Sequence, residues 1–350
     1  MKDGRRLSPL VLHSWACEIL LSTGASQPAA EATATALIDA NLRGLDTHGL
    51  VLLRLYLPRL RSGAIDGRAT PEIIKDLPGV VVVDARNTLG PYAATIATDL
   101  CCDRAESNGA AVTLVRRSNH FGAASVYSEQ AVRRGCVAVV LSNSDPGLAP
   151  RGSLGPILGT NPLAIAVPAR SEEIAPSLDM ATSVVALGRV RAAGRAGDRL
   201  PLGWAIGPDG EPTEDPELAL AGSLLPVGEH KGFALAFMID TLAGCLTGAR
   251  TSPSISADPA GLEPQHLGHF ILAINVTAVA STASFHASVE ELTGAVHTAE
   301  RANDVPPFLI PGEREARVAA ERRRTIPFGD GDLALLESLG RDYNVTFPGG

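Results

Sequence analysis

The 350-residue sequence lacks the signatures by which soluble enzymes most often bind nucleotides or metals. It contains no Gly-x-Gly-x-x-Gly turn, no P-loop, no His-Glu-x-x-His and no Gly-x-Ser-x-Gly. A Rossmann domain, a P-loop site, a zincin centre and a hydrolase elbow are therefore all unsupported. The stretch Gly152-Ser153-Leu154-Gly155 is rich in glycine, but its spacing fits none of these motifs.

Cysteine is scarce, with five residues and no Cys-x-x-Cys pair. All five lie in apolar surroundings, which is typical of reduced core cysteines and not of a disulfide framework or a zinc site. The sequence therefore predicts no metal centre. The five are Cys17, Cys101, Cys102, Cys136 and Cys245.

The sequence also lacks long basic runs and long apolar runs. The formal net charge is −8, and the densest basic run, Arg322-Arg323-Arg324, follows acidic residues and is interpreted as a solvated helix face. Nucleic acid is therefore not an expected partner. His13 and Glu18 interrupt the apolar N-terminal stretch, so we expect neither a signal peptide nor a membrane span, and a cytoplasmic protein.

The periodicity predicts alternating strands and helices, which is typical of an α/β fold. The nearly uncharged helix over 232–247 should lie in the core, and the 50–60 helix should bend or end near Pro58. Residues 142–226 are interpreted as short strands and long loops, and Thr251–Pro264 as a mobile loop. Predicted helices cover 29–42, 50–60, 91–108, 122–134, 232–247 and 288–301; predicted strands cover 80–83, 111–115, 136–141 and 270–274.

Two histidines stand beside glycines where this periodicity breaks. They are His48 in Asp46-Thr47-His48-Gly49 and His120 in Ser118-Asn119-His120-Phe121-Gly122. Imidazole is the side chain best suited to moving a proton near neutral pH. A single loop histidine usually has no catalytic role, so the residues alone indicate only a soluble α/β protein with two histidines of interest.

The segment Asn41-Leu42-Arg43-Gly44-Leu45-Asp46-Thr47-His48-Gly49 resembles the signature of the type-2 malate/L-lactate dehydrogenase family, whose members are NAD(P)-dependent oxidoreductases without a Rossmann domain. Each matching block is weak alone, but the blocks follow one another in family order over nearly the whole chain. The others are Ser118–Ala123, Leu158–Leu163, Leu178–Ser183, Lys231-Gly232, His269-Phe270 and Ile310–Glu313.

The resemblance implies an α/β fold particular to this family, a non-Rossmann NAD(P)-binding fold with a mixed sheet and a helical N-terminal part. Residues 1–75 would form that helical part, contribute the Thr47-His48 site and pack with 306–350. Residues 76–305 would form the α/β part that binds cofactor and substrate. The resemblance also implies a homodimer.

The implied activity is hydride transfer between NAD(P)H and C2 of a small 2-oxo acid or 2-hydroxy acid, such as malate, lactate or ureidoglycolate. The same geometry could instead reduce a cyclic imine carboxylate of the pyrroline- or piperideine-2-carboxylate type. A third interpretation is a non-catalytic homologue that binds nucleotide, although the retention of both histidines argues against it.

The resemblance also carries residue roles onto matching positions. His48 would be the acid/base, with His120 orienting the substrate or relaying protons, although family members differ in which histidine is credited. Thr47, where relatives often have Ser, could bond substrate or imidazole, or could cap a helix. Cofactor contacts would come from His120, Ser144, Leu178, Asp179, Met180, Lys231, Gly312, Glu313 and Arg314, and substrate contacts from Arg54, Thr160 and Asn161.

Two positions depart from the family pattern. Relatives commonly have Arg four residues after the first histidine, where it suits a substrate carboxylate, but Leu52 stands here. Arg54 follows two residues later, on a different side of a helix. Arg189 stands where Lys is usual, which keeps the charge and changes its reach. The side chain of the substrate is therefore left open.

Overall fold

A computed structural model describes residues 5–170, 174–256 and 262–348. Its strands are β1 (Arg5–Leu7), β2 (Glu72–Leu77), β3 (Val80–Asp84), β4 (Ala110–Ser118), β5 (Cys136–Ser142), β6 (Leu163–Ala166), β7 (Ser177–Met180), β8 (Ala205–Ile206), β9 (Pro212–Thr213), β10 (Ser223–Leu224), β11 (Leu267–Asn275) and β12 (Ile326–Phe328).

Its α-helices are α1 (Pro9–Ser22), α2 (Gln27–Leu42), α3 (Leu53–Ser62), α4 (Gly90–Asn108), α5 (Ser125–Val132), α6 (Leu187–Ala196), α7 (Pro216–Ala221), α8 (His230–Asp240), α9 (Val276–Val279), α10 (Thr282–Thr298), α11 (Glu313–Arg322) and α12 (Asp330–Asp342).

A seven-stranded mixed sheet in the order β2-β3-β4-β11-β5-β6-β7 forms the centre. Only β3 and β4 pair in parallel, with α4 as the crossover between them, while the other neighbours are antiparallel. This mixed α/β architecture confirms the predicted fold class.

The topology brings distant segments to one edge of this sheet. Because β11 lies between β4 and β5 and is antiparallel to both, β4 and β5 run in the same direction and end at the same edge. At that edge Ser118 ends β4, Ser142 ends β5 and Met180 ends β7, while β6 begins there at Leu163. The loops that carry the candidate site residues therefore meet at one place.

The two ends of the chain share a second core. Strand β1 pairs with β12, and helices α1 to α3 pack with α12 around buried Leu, Ile and Ala side chains. The indole N–H of Trp15 donates to the carbonyl of Val345 at 3.1 Å, and the Trp15 ring meets Phe347 edge-on at 4.8 Å. The division into two domains stays a prediction.

The strands predicted at 80–83, 111–115, 136–141 and 270–274 are confirmed, as are the helices near 29–42 and 91–108. Pro58 does not end its helix, since α3 continues to Ser62. The helix predicted over 288–301 spans Thr282–Thr298, because Ser281 caps it through a side-chain hydrogen bond to the N–H of Ser284. Within 142–226 the sequence analysis missed α6 and α7.

The prediction of a core helix over 232–247 was wrong in two respects. Helix α8 gives way at Thr241 to a π-helical turn, and its apolar side chains lie partly on the surface, with Phe237 and Met238 more than half exposed. Cys245 in that turn is exposed, unlike the core environment expected for it. Part of the loop predicted as mobile, 257–261, lies outside the described residues.

None of the helices described is both long enough and apolar enough to cross a lipid bilayer.

Replacing Phe347 with Ala should lower the free energy of unfolding by about 3–5 kcal/mol, because it removes a buried ring that packs the C-terminal segment onto α1. Denaturant titration followed by circular dichroism measures this change. Leu154→Ala, at a side chain 78% exposed, is the matched control. An equal loss in both variants would contradict the packing described for the chain ends.

Candidate active site

The loop that carries His48 is fixed by a polar network beneath it. Asp46 accepts hydrogen bonds from the amide of Asn41 at 2.8 Å and from two guanidinium nitrogens of Arg322 at 2.7 and 3.1 Å. Arg322 ends α11, so the prediction that its basic run lies on a solvated face was wrong for this residue. Gly49 lies so close to Asn41 that a β-carbon would be 2.2 Å from its side-chain oxygen.

The loop that carries His120 follows β4 and is held from below by Asn119. The Asn119 amide donates to the carbonyls of Thr88 at 2.8 Å and Asn87 at 3.2 Å. Gly90, at the start of α4, lies against this loop, and a β-carbon there would be 2.2 Å from the carbonyl oxygen of Asn119. The glycine therefore allows the helix to contact the loop backbone directly.

These two loops place the imidazoles of His48 and His120 face to face. Their ring centroids are 6.3 Å apart and their planes differ by 19°. The hydroxyl of Thr47 lies 3.1 Å from Nδ1 of His48, and the hydroxyl of Tyr56 lies 3.0 Å from Nδ1 of His120. The two histidines singled out from the sequence are therefore neighbours in the fold.

The contacts of His120 define its tautomer. The backbone N–H of Gly122 points at Nδ1 of His120 at 3.3 Å, and an N–H can only donate. Nδ1 is therefore the acceptor, and the neutral ring carries its proton on Nε2. Burial raises the pKa of Tyr56 above its usual range, so its hydroxyl stays protonated at neutral pH.

Both imidazoles are neutral at pH 7. Burial lowers the pKa of His48, and the nearby carboxylate of Asp179 opposes that shift. Burial lowers the pKa of His120 to about 3, and the charges of His48, His269 and Arg59 lower it further. A neutral imidazole can accept the proton of a substrate hydroxyl and can donate its own N–H to an oxygen.

A third histidine, His269, supports the His120 loop from within β11. It is fully buried, and its two ring nitrogens lie 2.9 Å from the hydroxyl of Ser142 and 2.8 Å from that of Ser118. Its ring stacks on Phe121 at 4.5 Å. Burial lowers its pKa to about 3, so it is a neutral structural residue that ties β4, β5 and β11 together.

Several predicted cofactor residues line one cleft of about 130 Å³, which includes Leu45 at the start of the turn that carries His48. One carboxylate oxygen of Asp179, Oδ2, accepts the N–H of Ser125 at 2.8 Å, and the side chain is exposed. The backbone of Gly312 packs against Ser177, where a β-carbon would be 2.8 Å from the carbonyl oxygen. The cleft is lined by Arg43, Leu45, Ser125, Glu129, Ser177, Leu178, Asp179, Pro311, Gly312 and Glu315. A larger cavity, near Tyr343, contains none of the predicted site residues.

Ser144, Thr160 and Asn161 lie together on the loops between β5 and β6. Asn161 is fully buried, accepts the N–H of Ser144 at 3.0 Å and donates to the carbonyl of Ala236 at 2.9 Å. Since its amide is used inside the protein, its position favours support of this loop over contact with a substrate. Thr160 is half-buried, and its carbonyl accepts the hydroxyl of Thr182.

The other predicted cofactor residues are not among those lining the cleft. Lys231 is exposed in the first turn of α8, and Met180 is half-buried at the end of β7. Glu313 is buried, and its carboxylate accepts the N–H of Ile310 at 3.1 Å and pairs with His297 at 2.8 Å. Arg314 is exposed beside it.

Leu52 ends the 3-10 turn before α3, whereas Arg54 lies in the first turn of α3. Leu52 is a core side chain, 8% exposed, whereas Arg54 is half-buried near Arg191 and Arg195, whose charges add to burial in lowering its pKa. The position at which the resemblance implies an arginine is therefore filled by a buried apolar side chain.

Sequence reasoning missed four residues of the site. Tyr56 bonds His120, and the side chain of Gln265 accepts the backbone N–H of His120 at 3.0 Å. Arg59 is buried close enough to His120 to affect its pKa, and Asp145 lies near Arg59. Tyr56 and Arg59 lie on α3, which begins directly after Leu52, and this closeness in sequence was the one available signal.

Comparison with known proteins places this chain in a family. A family model described as malate/L-lactate dehydrogenase matches residues 7–336. L-Sulfolactate dehydrogenase of Methanothermobacter thermautotrophicus is 35% identical over 330 residues, covering 94% of each chain. Delta(1)-pyrroline-2-carboxylate reductase of Ancylobacter novellus is 34% identical over 343 residues, covering 97% of this chain and 99% of the relative. (2R)-3-Sulfolactate dehydrogenase (NADP(+)) of Chromohalobacter salexigens is 34% identical, covering 98% and 99%.

Solved structures of two named dehydrogenases share this fold over nearly the whole chain. Malate dehydrogenase from Entamoeba histolytica superposes with a TM-score of 0.92 at 29% identity, covering 99% of this chain and 100% of that one. Sulfolactate dehydrogenase from Methanocaldococcus jannaschii gives 0.89 at 31% identity, covering 98% of each. The fold and the paired imidazoles define a non-Rossmann oxidoreductase. The chain belongs to the malate/L-lactate dehydrogenase family, which confirms the resemblance seen in the sequence.

Acidification should destabilise the protein through His269. Its pKa is about 3 when folded and about 6.5 when unfolded, so between these values the unfolded chain binds the extra proton. The free energy of unfolding should fall as pH drops through this window, by about 1.4 kcal/mol per pH unit for this group. Denaturant titrations at several pH values should give a shallower slope for His269→Gln, and parallel curves would contradict the assignment.

Proposed function

We propose that this enzyme uses NAD(P)H to interconvert a small 2-oxo acid and its 2-hydroxy acid. The observation that carries the proposal is the pair of neutral imidazoles, 6.3 Å apart, beside a cleft lined by an exposed carboxylate. When bound, the nicotinamide supplies or accepts the hydride at C2. The membership of the chain in a dehydrogenase family supports this chemistry.

The residues of the cleft fit a nicotinamide cofactor. Asp179 uses Oδ2 for the N–H of Ser125, and among the described residues Oδ1 makes no hydrogen bond, so it is available to a ribose hydroxyl. The carboxylate of Asp179 is close enough to His48 to raise its pKa against the effect of burial, which supports a cofactor site beside the proposed acid/base. Leu178 and Gly312 would contact the cofactor in the same cleft. The choice between NADH and NADPH is left to measurement.

His48 is proposed as the acid/base and His120 as the group that orients the substrate. In oxidation, His48 takes the hydroxyl proton as C2 loses its hydride, and in reduction it returns that proton to the oxygen. His120 donates its Nε2–H to the same oxygen, held in that orientation by Tyr56 and the N–H of Gly122. Tyr56 is thus a positioning residue.

A cyclic imine carboxylate is the second candidate substrate. One ground is Leu52, which stands where the resemblance implies an arginine that would bind the carboxylate of a flexible 2-oxo acid. The other is the pyrroline-2-carboxylate reductase among the relatives. The two substrates need the same hydride geometry and the same histidine acid. Oxidation of NADH and NADPH with pyruvate, oxaloacetate, 3-sulfopyruvate and the two cyclic imines distinguishes them. No turnover of any of these substrates would contradict both.

Replacing His48 with Gln should lower kcat by about 100-fold or more, because general acid–base catalysis is lost, while cofactor affinity changes little. The absorbance of NAD(P)H measures turnover, and the quenching of protein fluorescence measures cofactor binding. His286→Gln, on the outer helix α10, is the control and should keep wild-type turnover. Undiminished kcat in His48→Gln would remove His48 from the reaction.

We also propose that the enzyme is a homodimer. The apolar side chains Phe237, Met238 and Leu246 are 57%, 53% and 56% exposed along α8 and its π-helical turn, and such a face is costly to leave in water. Sedimentation velocity should give a dimer, and Phe237→Asp with Met238→Asp should shift it toward monomer. A wild-type monomer at all concentrations would contradict the proposal.

A further inference from the structure

Gln265 contacts the His120 loop at the point where the chain returns to the central sheet. It lies two residues before β11, whose first residue, Leu267, pairs with Ser118 at the end of β4. Its side chain is 5% exposed, and the side-chain carbonyl oxygen accepts the backbone N–H of His120 at 3.0 Å. Because that N–H can only donate, the oxygen of the amide must face His120 and the NH2 group must point away from this contact.

The NH2 group of Gln265 has two N–H bonds to donate, and within 5–170, 174–256 and 262–348 no residue accepts either of them. A donor without an acceptor is costly in a side chain as buried as this one. The nitrogen is not one of the fully buried side-chain atoms that lack a partner, so a small molecule can reach it. Gln265 therefore presents two hydrogen-bond donors to a ligand beside the His120 loop.

The buried asparagines behave differently, which makes Gln265 stand out. All four that are buried in the described part of the chain donate their amide N–H groups to oxygens of the protein. Asn41 donates to Asp46 at 2.8 Å, Asn119 to the carbonyl of Thr88 at 2.8 Å, Asn143 to Asp240 at 2.9 Å and Asn161 to the carbonyl of Ala236 at 2.9 Å. These asparagines hold loops together, whereas Gln265 keeps its donors for another group.

Helix α3 brings a positive charge to the same place. Tyr56 and Arg59 lie three residues apart on this helix, so they share one face. The hydroxyl of Tyr56 lies 3.0 Å from Nδ1 of His120, and the guanidinium of Arg59 donates to the carbonyl of Glu263, two residues before Gln265, at 3.0 Å. Arg59 is 3% exposed, and its charge lowers the pKa of His120. A negatively charged acceptor is therefore favoured beside these residues.

We propose that the side-chain amide of Gln265 binds the C1 carboxylate of the substrate. This inference rests on the proposed function, because it requires that the 2-oxygen or the imine nitrogen of the substrate lies against His120. C1 is bonded to C2, so the carboxylate then lies next to that imidazole. Both candidate substrates carry this carboxylate. Neutral amide donors thus take the part that the resemblance implies for an arginine at the position of Leu52.

Gln265→Glu separates substrate binding from support of the loop. The introduced carboxylate still offers an oxygen to the N–H of His120, but it has no N–H to donate and it repels the carboxylate of the substrate. With whichever 2-oxo acid or cyclic imine is turned over, kcat/KM should fall by about 10- to 100-fold, mainly through KM, while NAD(P)H affinity changes by less than about 3-fold. Gln27→Glu, at an exposed position of α2, is the matched control and should change neither.

Wild-type KM in Gln265→Glu would overturn the proposal, because Gln265 would then only support the loop. A parallel loss of NAD(P)H affinity would also overturn it, because the substitution would then disturb the whole site.

Nuclear magnetic resonance tests the proposal on the unaltered protein. The chain has three glutamines, Gln27, Gln130 and Gln265, so a nitrogen-isotope label at the glutamine side-chain amide gives three signals. Gln27→Glu and Gln130→Ala identify the first two. In the complex with NADPH, oxamate or pyrrolidine-2-carboxylate should shift the signal of Gln265, and oxamide, which has no carboxylate, should shift it much less.

This measurement reads binding, so it distinguishes the inference from the proposed function. If the signal of Gln265 shifts with an acid but no 2-oxo acid is turned over, the carboxylate site stands and only the proposed activity fails. An unchanged signal with both acids, or an equal shift with oxamide, would overturn the inference.

Discussion

The position of the first histidine depends on one ion pair, between Asp46 and Arg322. The two residues are 276 positions apart, and the guanidinium contacts both carboxylate oxygens while Asn41 donates to one of them. A charged pair in this half-buried setting is strong because its geometry is bidentate. The same guanidinium donates to the backbone carbonyl of Asn41. The pair thus fixes the end of α2, the turn that carries His48 and the end of α11 relative to one another.

The second constraint is the edge of the central sheet. Because β11 enters between β4 and β5, the loops after these strands open on the same side, and His120 and Ser144 come from those loops. His269 joins β4 and β5 through its two hydroxyl partners. These strands were predicted from apolar periodicity, but the place of β11 between β4 and β5 depends on pairings between residues more than a hundred positions apart. Local periodicity cannot predict that strand order.

The same limit explains what was missed in the site. His48 and His120 were predictable because each stands in a glycine-containing loop of a recognisable block. Tyr56 lies 64 positions from His120 and Gln265 lies 145 positions from it, so neither hydrogen bond leaves a trace in the local sequence. The apolar helix over 232–247 was misjudged because composition does not distinguish a helix face that packs in the core from an apolar face that lies on the surface. Arg322 was misjudged because a basic run is usually solvated.

In the proposed reaction the two imidazoles act on one substrate atom. A crystal structure of the enzyme with NADPH and oxamate tests this most directly. The 2-oxygen of the inhibitor should lie within hydrogen-bond distance of both His48 and Nε2 of His120, with the nicotinamide C4 facing C2 and the dinucleotide running past Asp179. A nicotinamide bound elsewhere, or an inhibitor that contacts neither imidazole, would contradict it.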